Sequence, residues 1–202
     1  MITTAKLRVA VLISGRGSNL RALIEACASP AYPAKIVLVI SNLADAGGLA
    51  YAKDAGIPTA IVEHRNFTSR QEFDAAMQRH LDEASAKLLC LAGFLRILSD
   101  GFVRTWEGRM INIHPSLLPA FKGTHVHERV LAAGEKTSGC TVHYVTSELD
   151  SGPPILQAEV PVFPNDTPES LAARVLEAEH VLYPLALRKV AQERIEPAGG
   201  RN

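Results

Sequence analysis

The segment "LRVAVLISGRGSNLRALIEACA", residues 7–28, decides the fold of this chain. Its first seven residues are a near-continuous apolar run of strand length. A loop punctuated by glycine, "SGRGS" (14–18), follows. The period then changes, and Leu20, Leu23, Ile24 and Cys27 fall on one face of a helix over 19–28. An unbroken apolar strand that runs through such a loop into a helix is the opening unit of a parallel sheet covered on both faces.

The same alternation continues outward. "KIVLVI" (35–40), "IPTAIV" (57–62), "KLLCLA" (87–92) and "RMINI" (109–113) read as further strands, with helices over about 46–55 and over 69–84. Ser69, followed three residues on by Glu72, makes a capping-box start for the second of these helices. After residue 135 the helices between strands disappear. "TSGCTVHYVT" (137–146) and "PILQAEVPV" (154–162) are separated only by "SELDSGP". The expected fold is therefore α/β: a Rossmann-like, doubly wound, mostly parallel sheet with an antiparallel extension and a long C-terminal helix. That helix is expected to be kinked or interrupted at Pro184. The tail, 195–202, is expected to be disordered. At 202 residues a single domain is expected.

Composition excludes several classes of function. Twenty-one basic residues balance 21 acidic ones, which argues against a non-specific grip on nucleic acid or on an anionic membrane. Cys27, Cys90 and Cys140 are far apart and show no zinc or disulfide spacing, so free thiols in a reducing compartment are expected. With no signal-like segment and no long apolar run, the expectation is a soluble cytoplasmic protein.

Two stretches carry chemistry. In "ISGRGSNL" (13–20), Gly15 and Gly17 let the backbone approach a ligand, and the free amides at the start of a helix favour a phosphate. The third glycine of the dinucleotide fingerprint is replaced by Leu20, and there is no Walker lysine, so a small phosphate monoester fits better than NAD or ATP. A tight turn capped by Ser18 or Asn19 is the structural alternative. In "MINIHPSLLP" (110–119), strand alternation puts Asn112 and His114 on one face, and Pro115 ends the strand. A histidine there can move a proton, and the asparagine can donate to a developing oxyanion. The alternative is a buried, satisfied polar pair. In "SELDSGP", Asp150 offers an orienting carboxylate or, equally, an Asx turn. His143 alternates with Thr141 and could line the same cleft. His125 and His127 lack a third ligand at a metal-binding spacing. "LAGFLRILS" (91–99) is either a hydrophobic ligand wall or core beside a turn.

Together, "VLISGRGSNL", "LAGFLRILS", "NIHPSLLP" and "VHYVTSELDSGPPILQ" resemble, in order and over about residues 7–186, the phosphoribosylglycinamide formyltransferase family, a branch of the folate-dependent formyltransferases. The resemblance implies transfer of a formyl group from the cosubstrate 10-formyltetrahydrofolate to glycinamide ribonucleotide, with no metal. It implies Asn112, His114 and Asp150 as catalytic residues, and Gly17, Ser18 and Asn19 as the phosphate site. It assigns Glu179 to the substrate amine and ribose. For folate it implies Arg70, the segment Leu95, Arg96, Ile97 and Leu98, Asn112 again, and the loop Thr146, Ser147, Glu148, Leu149 and Asp150. One formyltransferase domain is expected, with a phosphate and substrate half (1–110) and a catalytic and folate half (111–190). It would act as a monomer or homodimer, without nucleic acid or membrane. The family often has glutamine where this chain has Leu176. The rival readings are a formyltetrahydrofolate hydrolase, which uses the same triad on water, and a non-catalytic nucleotide-binding module.

Overall fold

A computed structural model describes residues 5–195. Five strands run parallel: β1 (Leu7–Ile13), β2 (Ala34–Ser41), β3 (Thr59–Ile61), β4 (Leu88–Leu91) and β5 (Met110–His114). Two more, β6 (Thr137–Tyr144) and β7 (Pro154–Pro161), extend the sheet antiparallel. The order across the seven-stranded sheet is β3-β2-β1-β4-β5-β6-β7. The expected doubly wound sheet with its antiparallel extension is what the chain forms.

The helices are α1 (Ser18–Cys27), α2 (Gly48–Asp54), α3 (Arg70–Glu83), α4 (Asp100–Thr105), α5 (Val126–Ala132) and α6 (Pro168–Ile195). Strand alternation divides β1 between two layers of core. Val9, Val11 and Ile13 pack with Leu20 and Leu23 of α1 and with Val175, Leu182 and Tyr183 of α6. Ala10 and Leu12 pack with Phe73, Met77 and Leu81 of α3 and with Phe102 and Trp106 beside α4. This two-sided burial explains why the strand reads as a continuous apolar run.

Some expectations are corrected. The helix over 168–195 is not interrupted at Pro184. Proline removes one N–H from the ladder, and the surrounding packing holds the helix across it: Tyr32 donates its hydroxyl to the Pro184 carbonyl at 2.6 Å, and Leu182, Tyr183, Ala186 and Leu187 are buried. Residue 195, expected in the tail, is helical; 196–202 lie outside the described residues. The short helix α4 was not expected, since six residues are too few to show a period. Ser69 caps α3 as expected, accepting from the Glu72 amide at 3.2 Å. The Glu72 carboxylate, however, reaches back to the amide and hydroxyl of Thr68 rather than to Ser69.

Strand order reverses between β1 and β4, so their carboxyl ends open a crevice. The two ends are tied together: the Ser14 amide donates to Gly93 O at 3.1 Å, and the Leu95 amide to Ser14 Oγ at 2.8 Å. From behind, Tyr183 of α6 reaches the Leu91 and Ile111 carbonyls at 3.0 and 3.2 Å. This buried hydroxyl locks α6 to β4 and β5. Replacing Tyr183 with Phe is expected to lower unfolding free energy by about 1–3 kcal/mol in urea titration, with the fold retained.

Candidate active site

The loop after β1 has two glycines with different physical reasons. Gly17 has φ 73°, and a Cβ there would come within 2.4 Å of Gly48 Cα, so it is glycine because α2 packs directly against it. A Cβ at Gly15 would meet nothing within 4 Å, which leaves its backbone open to a ligand. Gly17 is also the N-cap of α1 and offers no side chain to the free amides. Ser18 and Asn19 are therefore the first helical residues and do not cap the helix by a side chain. Asn19 is turned inward: its Nδ2 donates to Glu179 Oε2 of α6 at 2.7 Å, and its Oδ1 is buried without a partner. Burial pushes the Glu179 carboxyl up from its ordinary value, and the Asn19 hydrogen bond opposes that shift.

Two strands away, β5 ends at His114. Its partner β6 runs antiparallel and sets His143 opposite Asn112 and Thr141 opposite His114. All four side chains share one face. His143 Nδ1 lies 2.9 Å from Tyr144 O and donates to it, so the neutral ring's Nε2 accepts from Asn112 Nδ2 at 3.2 Å. That contact turns the Asn112 amide so that its second N–H is free for a ligand. Thr141 Oγ1 donates to Ser116 O and accepts from the Leu118 amide, which holds the turn after the strand.

His114 is 5% exposed and both its ring nitrogens are engaged. Nδ1 is 3.4 Å from Asp150 Oδ2, and Nε2 donates to Phe121 O at 3.0 Å. Asp150, at φ 50°, also accepts from the Gly123 amide at 2.9 Å and stands 3.8 Å from His143 Nε2. Lys122 ties the loop of Phe121 and Gly123 to the Asp150 loop, through Ser151 Oγ at 2.5 Å and Glu148 at 3.5 Å.

The flanks of this centre are apolar and open. Leu95, Ile97 and Leu149 are 79%, 65% and 61% exposed, unusually high for large aliphatic side chains. Leu98, by contrast, is buried in the α3–α4 core, so only its backbone can face a ligand. Thr146, Ser147 and Glu148 are exposed. Arg70 and Arg96 line a cavity of about 280 Å³ with His64, Phe67, Phe73 and Ile97. Among the described residues, no group of three or more His, Cys, Asp or Glu side chains is arranged to hold a metal.

The fold and sequence have counterparts among known proteins. Residues 7–187 match the family model described as formyl transferase. The chain belongs to the formyl transferase family. It is 45% identical over 190 residues to a phosphoribosylglycinamide formyltransferase of Escherichia coli, covering 94% of this chain and 90% of that one. It is 53% identical over 195 residues to a chicken trifunctional purine biosynthetic protein, of which it spans only 19%. Among solved structures, a phosphoribosylglycinamide formyltransferase from Brucella melitensis superposes with a TM-score of 0.89 at 53% identity, covering 92% of this chain and 96% of that one.

The expected residues fall into two groups. His114 and Asp150 meet directly, and Asn112 is joined to them through His143, whose Nε2 stands 3.8 Å from Asp150. Asn19 and Glu179 form a separate pair beside the glycine loop, on the far side of β4. Four participants were not assigned a role from sequence. Phe121 and Gly123 act through backbone atoms, which leave no trace in residue type. Ser14 and Asn42 form a buried hydrogen bond of 2.6 Å across β1 and β2 that supports Leu95, and each simply follows an apolar strand. The alternation of Thr141 with His143 was a usable signal, since the register sets them opposite His114 and Asn112.

Burial is the main reason that His143 stays below its ordinary value of 6.5; the Tyr144 carbonyl and Asp150 oppose the shift, and nearby His114 adds to it. Such a group refuses a proton that the unfolded chain accepts, so its contribution to stability is intact above the unfolded value and is lost as pH falls below it. Buried Glu179 and Asp74, raised by burial, act in the opposite sense. The useful comparison is therefore between variants: His143→Gln should lose less unfolding free energy than wild type when pH is lowered from about 7.5 to about 5.5 in urea titrations.

Proposed function

We propose that this chain transfers the formyl group of 10-formyltetrahydrofolate to the amine of glycinamide ribonucleotide, giving formylglycinamide ribonucleotide and tetrahydrofolate in purine synthesis. The observation that carries this reading is the His114–Asp150 contact beside an asparagine amide with one free N–H. Family membership and the names of the relatives support it; the chain spans 14–19% of the length of the trifunctional proteins among them.

The substrate amine attacks the formyl carbon, and the carbonyl oxygen becomes an oxyanion. The free N–H of Asn112 and a protonated His114 stabilise that oxygen. The amine gives up a proton as the new C–N bond settles, and the folate nitrogen takes one as its bond to the formyl carbon breaks. His114 relays these protons. Asp150 orients the ring and balances its charge, and Nε2 turns from Phe121 O to the reacting groups.

The backbone about Gly15, Gly17, Ser18 and Asn19 holds the substrate phosphate, and Glu179, positioned by Asn19, meets the amine or ribose. β1 and β5 are separated only by β4, so the two sites lie about 10 Å apart at the sheet, a span that suits one small phosphate ester. The pterin lies against the Leu95–Leu98 backbone and the Thr146–Asp150 loop, and Arg70 and Arg96 meet the acidic tail of the folate. This makes one domain, its first half binding substrate and its second performing the chemistry. We read it as a cytoplasmic enzyme, monomeric or homodimeric; the three free thiols fit a reducing compartment.

Asn112→Ala and His114→Ala are each expected to lower turnover by at least about 10²–10³-fold while the fold survives by circular dichroism. Tetrahydrofolate should form only when glycinamide ribonucleotide is present. Release without the amine would indicate a hydrolase, and near-normal turnover in His114→Ala would reject the assignment.

A further inference from the structure

Between β4 and α4 the segment 94–98 is irregular. Its ends are anchored. The Phe94 ring lies parallel to that of Phe73 with centroids 6.5 Å apart, Leu98 is buried, and the Ser99 amide donates to Asp74 at 2.7 Å. Its middle has no such anchor, because the Leu95 and Ile97 side chains are exposed. Among the described residues, the backbone of 94–98 makes one hydrogen bond to the protein, from the Leu95 amide to Ser14 Oγ at 2.8 Å. The remaining amides and carbonyls of the segment are free to meet a ligand.

Ser14 is itself held. Its hydroxyl donates to Asn42 Oδ1 at 2.6 Å, which leaves its lone pairs for Leu95. With its oxygen engaged, the Asn42 amide directs Nδ2 at His64 Nδ1, 3.2 Å away, and donates to it. The hydrogen bonds thus run in one direction, from Leu95 to Ser14 to Asn42 to His64. These four residues follow β4, β1, β2 and β3, which is the order of those strands across the sheet. Neighbouring strands stand about 4.8 Å apart, a step that one short polar side chain can bridge. Burying Ser14 and Asn42 costs free energy that two apolar residues would not. What the polar pair secures is the place of the Leu95 amide.

We propose that Asn42 is a positioning residue for the formyl-folate cosubstrate: through Ser14 it fixes the Leu95 amide, and with it the free backbone groups of 94–98 that meet the pterin. Asn42 is 2% exposed and touches no ligand itself. Recognition by backbone groups is sensitive to small displacements, because a hydrogen bond weakens steeply as its angle closes. Without Asn42 the Ser14 hydroxyl turns freely, and its proton competes with the Leu95 amide for the same space. Two other parts of the site have anchors of their own. Asn112, His114 and Asp150 are set by β5, β6 and the loop after β6. The glycine loop is held by the Gly48 amide, which donates to Gly15 O at 3.0 Å, and by the packing of α2 on Gly17. Loss of Asn42 therefore weakens folate binding and spares both the chemical step and the second substrate.

This proposal rests on the formyl-transfer reading, and its test separates the two. Kinetics are to be measured on the full chain with Asn42→Ala, Ser14→Ala and the double variant, each checked for folding by circular dichroism. Asn42→Ala should raise KM for 10-formyltetrahydrofolate about tenfold, with KM for glycinamide ribonucleotide and kcat within about threefold of wild type. Because Asn42 acts through Ser14, the double variant should lose no more than the larger single loss. Calorimetric binding of tetrahydrofolate gives the same comparison without turnover. Hydrogen exchange on unliganded wild type tests the underlying bond: the Leu95 amide should exchange at least about tenfold more slowly than those of Arg96 and Ile97. Equal exchange at the three amides, wild-type tetrahydrofolate affinity in folded Asn42→Ala, or losses that multiply in the double variant overturn the proposal even where formyl transfer is intact. Tetrahydrofolate affinity that falls in Asn42→Ala and no further in the double variant supports it even where formyl transfer fails.

Discussion

The Asp150 carboxylate is where separate parts of the chain are made to agree. One oxygen faces His114 Nδ1 and accepts the Gly123 amide; the other stands toward His143. The side chain is 8% exposed, so water competes little for these contacts. An anion in that position orients the His114 ring, balances any charge it takes up, and fixes the loop whose Phe121 carbonyl covers the ring's other nitrogen. Remove that charge and a strand end, two loops and two histidines lose their common partner.

The antiparallel extension makes this meeting possible. In a purely parallel sheet the connection after β5 would carry the chain back to the opposite end of the sheet before the next strand began. Here β6 returns alongside it, residue for residue, so His143 stands opposite Asn112 and Thr141 opposite His114. The short connection from β6 to β7 then brings Asp150 over the same face. The cost is a set of buried polar atoms, and the chain satisfies most of them with backbone partners: Tyr144 O for His143, Ser116 O for Thr141 and Phe121 O for His114. Those partners determine which hydrogen each side chain shows to the cleft.

On the other flank, Asn19 illustrates how a residue type can be read for the wrong atom. Its place after a glycine loop suggests a phosphate donor or a cap, yet its side chain faces α6 and holds a buried glutamate. Its backbone amide remains among the free amides of the α1 start. Glu179 is separated from it by 160 residues, and the pairing depends on α6 crossing α1, which no local pattern reports.

Residue order alone determined the layered α/β fold, the strand ends and the candidate triad. Those features rest on short-range physics: the period of apolar residues, the missing N–H of Pro115, and the restricted set of residues that can shuttle a proton or donate to an oxyanion. Tertiary structure alone decided that Asp150 reaches His114, that His143 turns the Asn112 amide, that Asn19 serves Glu179, and that α6 is not interrupted at Pro184. Each of these depends on backbone carbonyls and amides presented by distant segments. Every residue carries those groups, so their placement is set by packing and leaves no signature in the identity of the residues that bear them.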